Sequence, residues 1–285
     1  MLKIGTVRDL WRYPVKAMGG ERLESCAVER HGLEGDRRWA LRDQARSEIQ
    51  SCKTRPQLLQ CRASYRGGRT DRVDISLPDG TAMASDDPGI HARLSQLVGH
   101  ASTLEPLRPA SDAAFYRRHK KDGHTWLKEL EATFAREDGE PLPDLAQLPA
   151  ILVDHVSVPG TFFLVTPFHI LTTATLDRLN RLNPAANFDA RRFRPNLVIE
   201  TDPQLDGLVE QEWIGRRIAT GGATLTVAGA TPRCGAITRA QQGLAFDAGA
   251  LRTVVREADQ NAGVYADIEK PGHLRTGDDV FLLDA

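Results

Sequence analysis

The sequence predicts a mainly β fold with some helices (α+β), barrel-like rather than doubly wound. Short runs of alternating or β-branched residues, each bounded by Gly, Pro, Asn or Asp, recur at both ends of the chain. Two segments carry an apolar stripe at helical spacing behind a capping residue. The glycine pairs Gly19-Gly20, Gly67-Gly68 and Gly221-Gly222 lack the spacing and the following capped helix of a phosphate loop or dinucleotide fold.

Taken in order, Ile4, Val7, Leu10 and Tyr13 fall in an extended opening that stops at Pro14, and Arg37 to Arg42 reads as another strand. Val73 to Leu77 followed by Pro78-Asp79-Gly80 is a hairpin, because Asp-Gly accepts the turn conformation. Asp87-Pro88 offers a cap and a first-turn proline for a helix of about 11 residues carrying Ile90, Leu94, Leu97 and Val98. Residues 107–149 are polar and proline-interrupted, with a basic cluster at 117–121 and a helix expected over 126–134. They read as a connection between a first domain, 1–106, and a second, 150–285. In the second, Thr172 or Thr173 caps a helix over 173–182 that buries Leu176, Leu179 and Leu182. Strands follow at 196–200, 217–220, 223–227, 264–268 and 280–283.

The 285 residues carry 37 basic and 38 acidic side chains, a net charge of -1, which gives no reason to expect nucleic acid or a membrane surface as partner. No apolar run approaches the roughly 20 residues of a membrane span. The opening residues have no apolar leader segment, so the expected location is cytoplasmic. Cys26, Cys52, Cys61 and Cys234 occur singly, so a zinc ribbon, an iron-sulfur cluster or a disulfide framework is not expected.

Cys234 follows a strand within Ala230-Thr231-Pro232-Arg233-Cys234-Gly235, where Pro232 and Gly235 favour a loop. Arg233 beside it favours the thiolate, the form that binds metals or attacks electrophiles; a small buried thiol is the alternative. Arg191, Arg192 and Arg194 precede a strand, and guanidinium forks match phosphate or carboxylate oxygens. Thr172 and Thr173 at a helix start could offer free amides to an anion.

Trp11 to Lys16 (WRYPVK), Gly32 to Trp39 (GLEGDRRW), Phe193 to Asn196 (FRPN), Glu210 to Gly215 (EQEWIG) and Arg233-Cys234 together resemble the MOSC family with its N-terminal β-barrel domain, the molybdenum cofactor proteins that include the mitochondrial amidoxime-reducing component. The resemblance spans nearly the whole chain. It implies an N-terminal β-barrel domain plus a MOSC β-barrel domain. It implies a molybdenum-molybdopterin cofactor held by Lys16, Arg37, Thr172, Thr173, Arg194 and Arg233, with Tyr265 lining the pocket and Cys234 as metal ligand. A pocket of cationic forks and one soft thiolate suits an anionic pterin phosphate and molybdenum. Ala17 stands where relatives often have serine, and the segment after Cys234 lacks the aspartate common before its glycine.

The expected activity is therefore reduction of small N-hydroxylated or N-oxide molecules by oxygen-atom removal, with electrons from a separate donor protein. The rivals are a non-catalytic cofactor carrier, a Cys234 persulfide sulfur carrier, and a pyridoxal phosphate protein.

Overall fold

The computed structural model describes residues 1–119, 131–144 and 149–283. In the first part of the chain lie β1 (Leu2–Arg12), β2 (Glu21–Leu23), β3 (Ser25–Glu29), β4 (Gly32–Leu33), β5 (Trp39–Asp43), β6 (Glu48–Ile49), β7 (Arg62–Ser64), β8 (Asp74–Ser76), β9 (Ala82–Ala84), helix α1 (Ile90–Val98) and β10 (Ser102–Pro106). In the second lie β11 (Phe168–Thr172), α2 (Thr173–Leu182), α3 (Ala190–Phe193), β12 (Leu197–Glu200), β13 (Arg217–Thr220), β14 (Ala223–Pro232), α4 (Ala248–Glu257), β15 (Asn261–Lys270), β16 (Gly272–Arg275) and β17 (Asp279–Leu283). Among the described residues no helix is long and apolar enough to cross a membrane.

Seven strands close into a barrel in the order β12-β11-β15-β14-β13-β17-β1, with β1 returning to pair β12 and β2 added beyond it. Along β1, Ile4, Val7 and Leu10 point inward beside Phe168, Ile170, Val264 and Val280. Closure forces two irregularities into β1, near Lys3/Gly5 and Val7/Asp9. A Cβ at Gly5 would stand 2.1 Å from the Glu200 carbonyl oxygen, so only glycine admits this crossing. The first-half core is separate: the three-stranded sheets β10-β5-β6 and β7-β8-β9, with α1, enclose Leu41, Leu58, Ile75, Ile90 and Leu94.

The sheets do not respect the expected cut at 106 and 150. β1 belongs to the barrel of the second half, and β16 pairs with β3. The connecting stretch is also docked: Phe115 and Tyr116 are buried with Ile49, Val156 and Phe162, and Phe134 is buried as well. Polar composition hid three aromatics whose burial fixes the path. The helix expected over 126–134 falls largely outside the described residues, as do Lys120 and Lys121 of the basic cluster.

The hairpin β8–β9 forms as expected. Helix α1 starts later than expected: Asp87 Oδ1 accepts from the Gly89 amide at 2.7 Å, so the aspartate closes the preceding turn and Gly89 takes the cap position. In α2, Leu179 is fully buried but Leu176 and Leu182 only partly; Thr173, Ala174 and Thr175 complete the buried face. β14 runs on to Pro232, beyond the expected end at 227, with register shifts against β15 that let it bend.

Candidate functional site

One cleft of about 270 Å³ lies where the two cores meet. Of the residues singled out in the sequence, Lys16, Arg37, Arg194, Arg233, Cys234 and Tyr265 line it; Thr172 and Thr173 do not. Eight lining side chains are lysine or arginine against two carboxylates, Asp43 and Glu48, so the cleft is built for an anion.

Backbone pairing brings Lys16 and Arg37 together. The Arg37 amide donates to the Tyr13 carbonyl at 2.9 Å, and the Lys16 amide to the Trp39 carbonyl at 2.8 Å. Asp36, buried, accepts from the Tyr13 amide at 2.6 Å and from Asn196 Nδ2 at 3.0 Å, and pairs with the Arg37 guanidinium. That network ties the first-half loop to the segment carrying Arg194. The guanidiniums of Arg37 and Arg194 both stack on the Tyr13 ring, 5.1 and 4.3 Å from its centroid, so an aromatic face stabilises two like charges. Arg194 also donates to the Met18 carbonyl. Ala17, Arg37 and Arg194 all have left-handed backbones, with φ of 68°, 49° and 57°. Three such residues on one cleft are conformations held by their surroundings, a pattern concentrated at ligand sites. Lys16 Nζ donates to the Phe162 carbonyl at 2.8 Å, and burial lowers its pKa to about 7, with Lys53 and Arg37 acting in the same sense.

Cys234 stands where β14 ends. Pro232 has no amide to continue the ladder, and the Arg233 amide turns to the Gln260 carbonyl at 2.8 Å. Cys234 then caps a short 3-10 turn, Gly235–Thr238, and its thiol is half-exposed. The turn is braced by Arg136, which donates to the Arg233 carbonyl at 3.1 Å and to Gln260 Oε1 at 3.0 Å. Arg233 is buried; it donates to the Ala262 and Phe193 carbonyls and to His169 Nε2, and burial holds its pKa down to about 10. His169, missed in the sequence, is thus a neutral acceptor, kept uncharged first by burial and then by Arg233. Its ring tilts against Tyr265 at 6.2 Å. Thr231 Oγ1, on the cleft wall and 2% exposed, has no hydrogen-bond partner among the described residues.

Thr172 and Thr173 need correcting. Thr172 Oγ1 accepts from the Thr175 amide and donates to Glu210 Oε2 at 2.6 Å, and Thr173 Oγ1 is 3.1 Å from Thr201 Oγ1. Glu210, fully buried, also takes the Thr175 hydroxyl and the Gly263 amide at 3.0 Å. The positive end of α2 already holds the protein's own carboxyl group, so no place is left for a phosphate. Nothing in EQEWIG announces this, since acidic residues are rarely buried.

A further wall was not anticipated. The segment from Asp43 to Arg55 lines the cleft and brings into it Cys52, a thiol outside the segments that carry the family resemblance. Burial raises the Cys52 pKa. Cys26 and Cys61 are buried elsewhere, in the barrel core and the first-half core.

The family model described as MOSC N-terminal beta barrel domain matches residues 4–113, and that described as MOSC domain matches residues 160–281. Comparison with curated proteins finds no match. Among solved structures, the YuaD protein from Bacillus subtilis is similar at 14% identity, over 98% of this chain and 94% of its own, with a TM-score of 0.44. YiiM from Geobacillus stearothermophilus and YiiM from Escherichia coli, 14% and 15% identical, cover 41% and 42% of this chain and 54% and 55% of their own, with TM-scores of 0.31 and 0.32.

Proposed function

Since the chain belongs to the MOSC family, which is associated with the molybdenum cofactor, and carries the N-terminal β-barrel domain as well, we propose that its cleft holds a molybdenum-molybdopterin cofactor with Cys234 as the protein's ligand to the metal. The observation that carries this reading is the convergence, from both halves, of four held cations on one half-exposed thiol.

The residues present fit such a group. Lys16, Arg37 and Arg194 form a cationic face suited to a terminal phosphate, each charge-assisted bond contributing roughly 1.5 to 3 kcal/mol. Thr231 Oγ1, buried without a partner among the described residues, is a polar atom that a bound pterin would satisfy. Among the described residues no three His, Cys, Asp or Glu side chains gather, so a metal here needs ligands of its own, as a dithiolene brings. Arg233 acts behind Cys234: its bonds to the Ala262 and Phe193 carbonyls keep its charge in place beside the thiol. His169, uncharged, accepts from Arg233 without adding positive charge beside the thiol.

When bound, the cofactor supplies two-electron removal of an oxygen atom from small N-hydroxylated or N-oxide molecules, with electrons from a separate protein. Cys234→Ser, made in a host that synthesises the cofactor, tests this. The variant should fold, keep part of its pterin, and lose donor-dependent reduction of benzamidoxime. Wild-type turnover by the variant, or wild-type protein holding stoichiometric zinc or pyridoxal phosphate and no molybdenum, refutes it.

A carrier of cofactor or sulfur is the second reading, favoured by Cys52, a second thiol on the same cleft. Turnover with an artificial electron donor separates the two.

A further inference from the structure

Resting on the reading of Cys234 as the metal ligand, we infer that Glu210 is a positioning residue of the site: by clamping the peptide group between Ala262 and Gly263 it fixes Arg233 and, with it, the turn that presents the thiol.

A single peptide group lies between these two buried side chains. It opens β15, where the register against β14 shifts between Ala230 and Pro232. Its N–H, that of Gly263, donates to Glu210 Oε1 at 3.0 Å. Its C=O, that of Ala262, accepts from Arg233 Nε at 2.8 Å and also from Nη2. In a trans peptide these bonds leave on opposite sides, so the group is held from both ends and each bond polarises the other. The EQEWIG segment, which lines no part of the cleft, thereby reaches the residue beside the thiol.

The fit is close. Gly263 has a left-handed φ of 80°, and a Cβ there would stand 2.4 Å from His169 Nε2 and 3.2 Å from Arg233 Nη2. Glycine lets β15 approach the guanidinium and the imidazole at this distance. On the far side, the Thr172 and Thr175 hydroxyls fix the carboxyl group to the start of α2. Capping that helix does not call for a bond to Gly263, which is additional and aims toward the cleft. On the near side, Arg233 spans three elements: β15 through Ala262, α3 through Phe193 and β11 through His169. Groups behind a metal ligand set its orientation, and here the bonds run from Glu210 through one peptide to Arg233, whose next residue is Cys234.

Amide hydrogen exchange in the cofactor-free full chain tests this independently of the metal. Glu210→Gln should speed exchange of the amides from Arg233 to Thr238 about tenfold beyond any rise in β17, whereas Leu10→Ala, which loosens the barrel without touching this peptide, should speed both alike. Arg233→Lys, which keeps the charge and loses the double bond to Ala262, should act like Glu210→Gln. The double change should exceed the larger single effect by less than about twofold, because both act through one peptide. In cofactor-loaded protein, Glu210→Gln should lower kcat for benzamidoxime more than it raises KM. A uniform exchange change in Glu210→Gln, single effects that multiply in the double variant, or a loaded variant that turns over as wild type overturns the positioning role and leaves the metal reading intact. The local exchange effect in a protein that holds no molybdenum upholds the role and fails the metal reading. Should Glu210→Gln not fold, Glu210→Asp, which keeps the carboxylate and falls short of Gly263 by one methylene, decides by the same measurement.

Discussion

Lys16 should make anion binding take up a proton. Its pKa is lowered by burial to about 7, from an ordinary value of 10.5, and its one acceptor among the described residues is the Phe162 carbonyl. A lysine of that pKa is about half neutral at pH 7 and about nine-tenths neutral at pH 8. A dianion in the cleft favours the charged form, so binding sulfate, which does not titrate here, should take up about 0.5 proton at pH 7 and about 0.9 at pH 8. Affinity should correspondingly weaken about fifty-fold between pH 7 and pH 9. For the unliganded fold the sign is opposite to that of a paired lysine. Between pH 7 and 10.5 the unfolded chain binds more protons, so Lys16 makes stability rise with pH across that window, by at most about 1.4 kcal/mol per unit; below pH 7 its full penalty remains. Calorimetric titration in two buffers of different ionisation enthalpy measures the uptake, and Lys16→Met should abolish it. Sulfate binding at pH 8 without proton uptake, or with uptake unchanged in Lys16→Met, would refute the reasoning.

Three further outcomes follow from the same geometry. Iodoacetamide at pH 8 should alkylate Cys234 first, because burial holds Cys26 at about 11 and Cys61 at about 12 and raises Cys52 also; peptide mass spectrometry reads the order. Glu210→Gln should lower stability by about 1.5 to 3 kcal/mol, since an amide nitrogen must replace an acceptor of the Thr172, Thr175 and Gly263 donors. Burial raises the Glu210 pKa above 4.5, so its contribution is fullest below that value and lost as pH rises through the folded one; the Gln variant should flatten this slope in denaturant titrations. Leu10→Ala should cost about 2 to 5 kcal/mol and loosen the barrel rather than the first-half core, which hydrogen exchange of β17 against β8 distinguishes.

Local chemistry was legible in the sequence where a few adjacent residues decide it. Asp79-Gly80 sets the hairpin, Thr172 caps α2, and the alternation of Ile4, Val7 and Leu10 marks one face of a strand. Alternation says which face is buried but not which strand lies alongside, so the place of β1 in the far barrel could not be read. The same holds for the site. WRYPVK, GLEGDRRW and FRPN led to Lys16, Arg37 and Arg194, but nothing around SCKTR shows that Cys52 and Lys53 line the same cleft as Cys234. Thr172 and Thr173 were misplaced for a reason of electrostatics: a helix N-terminus calls for an anion, and a single sequence does not tell that Glu210, 38 positions on, supplies it.

The seam of the barrel also sets a clock. Leu2 pairs with Leu282, so a ribosome polymerises one side of that seam about 280 residues before the other. At about 5 to 20 residues per second this is a delay of roughly a quarter of a minute to a minute, during which the apolar face of β1 has neither barrel neighbour for most of the time. The nascent chain therefore carries an open strand edge beside an already foldable first-half core, and that interval is when chaperone binding or pairing between neighbouring polysome chains competes with the native closure.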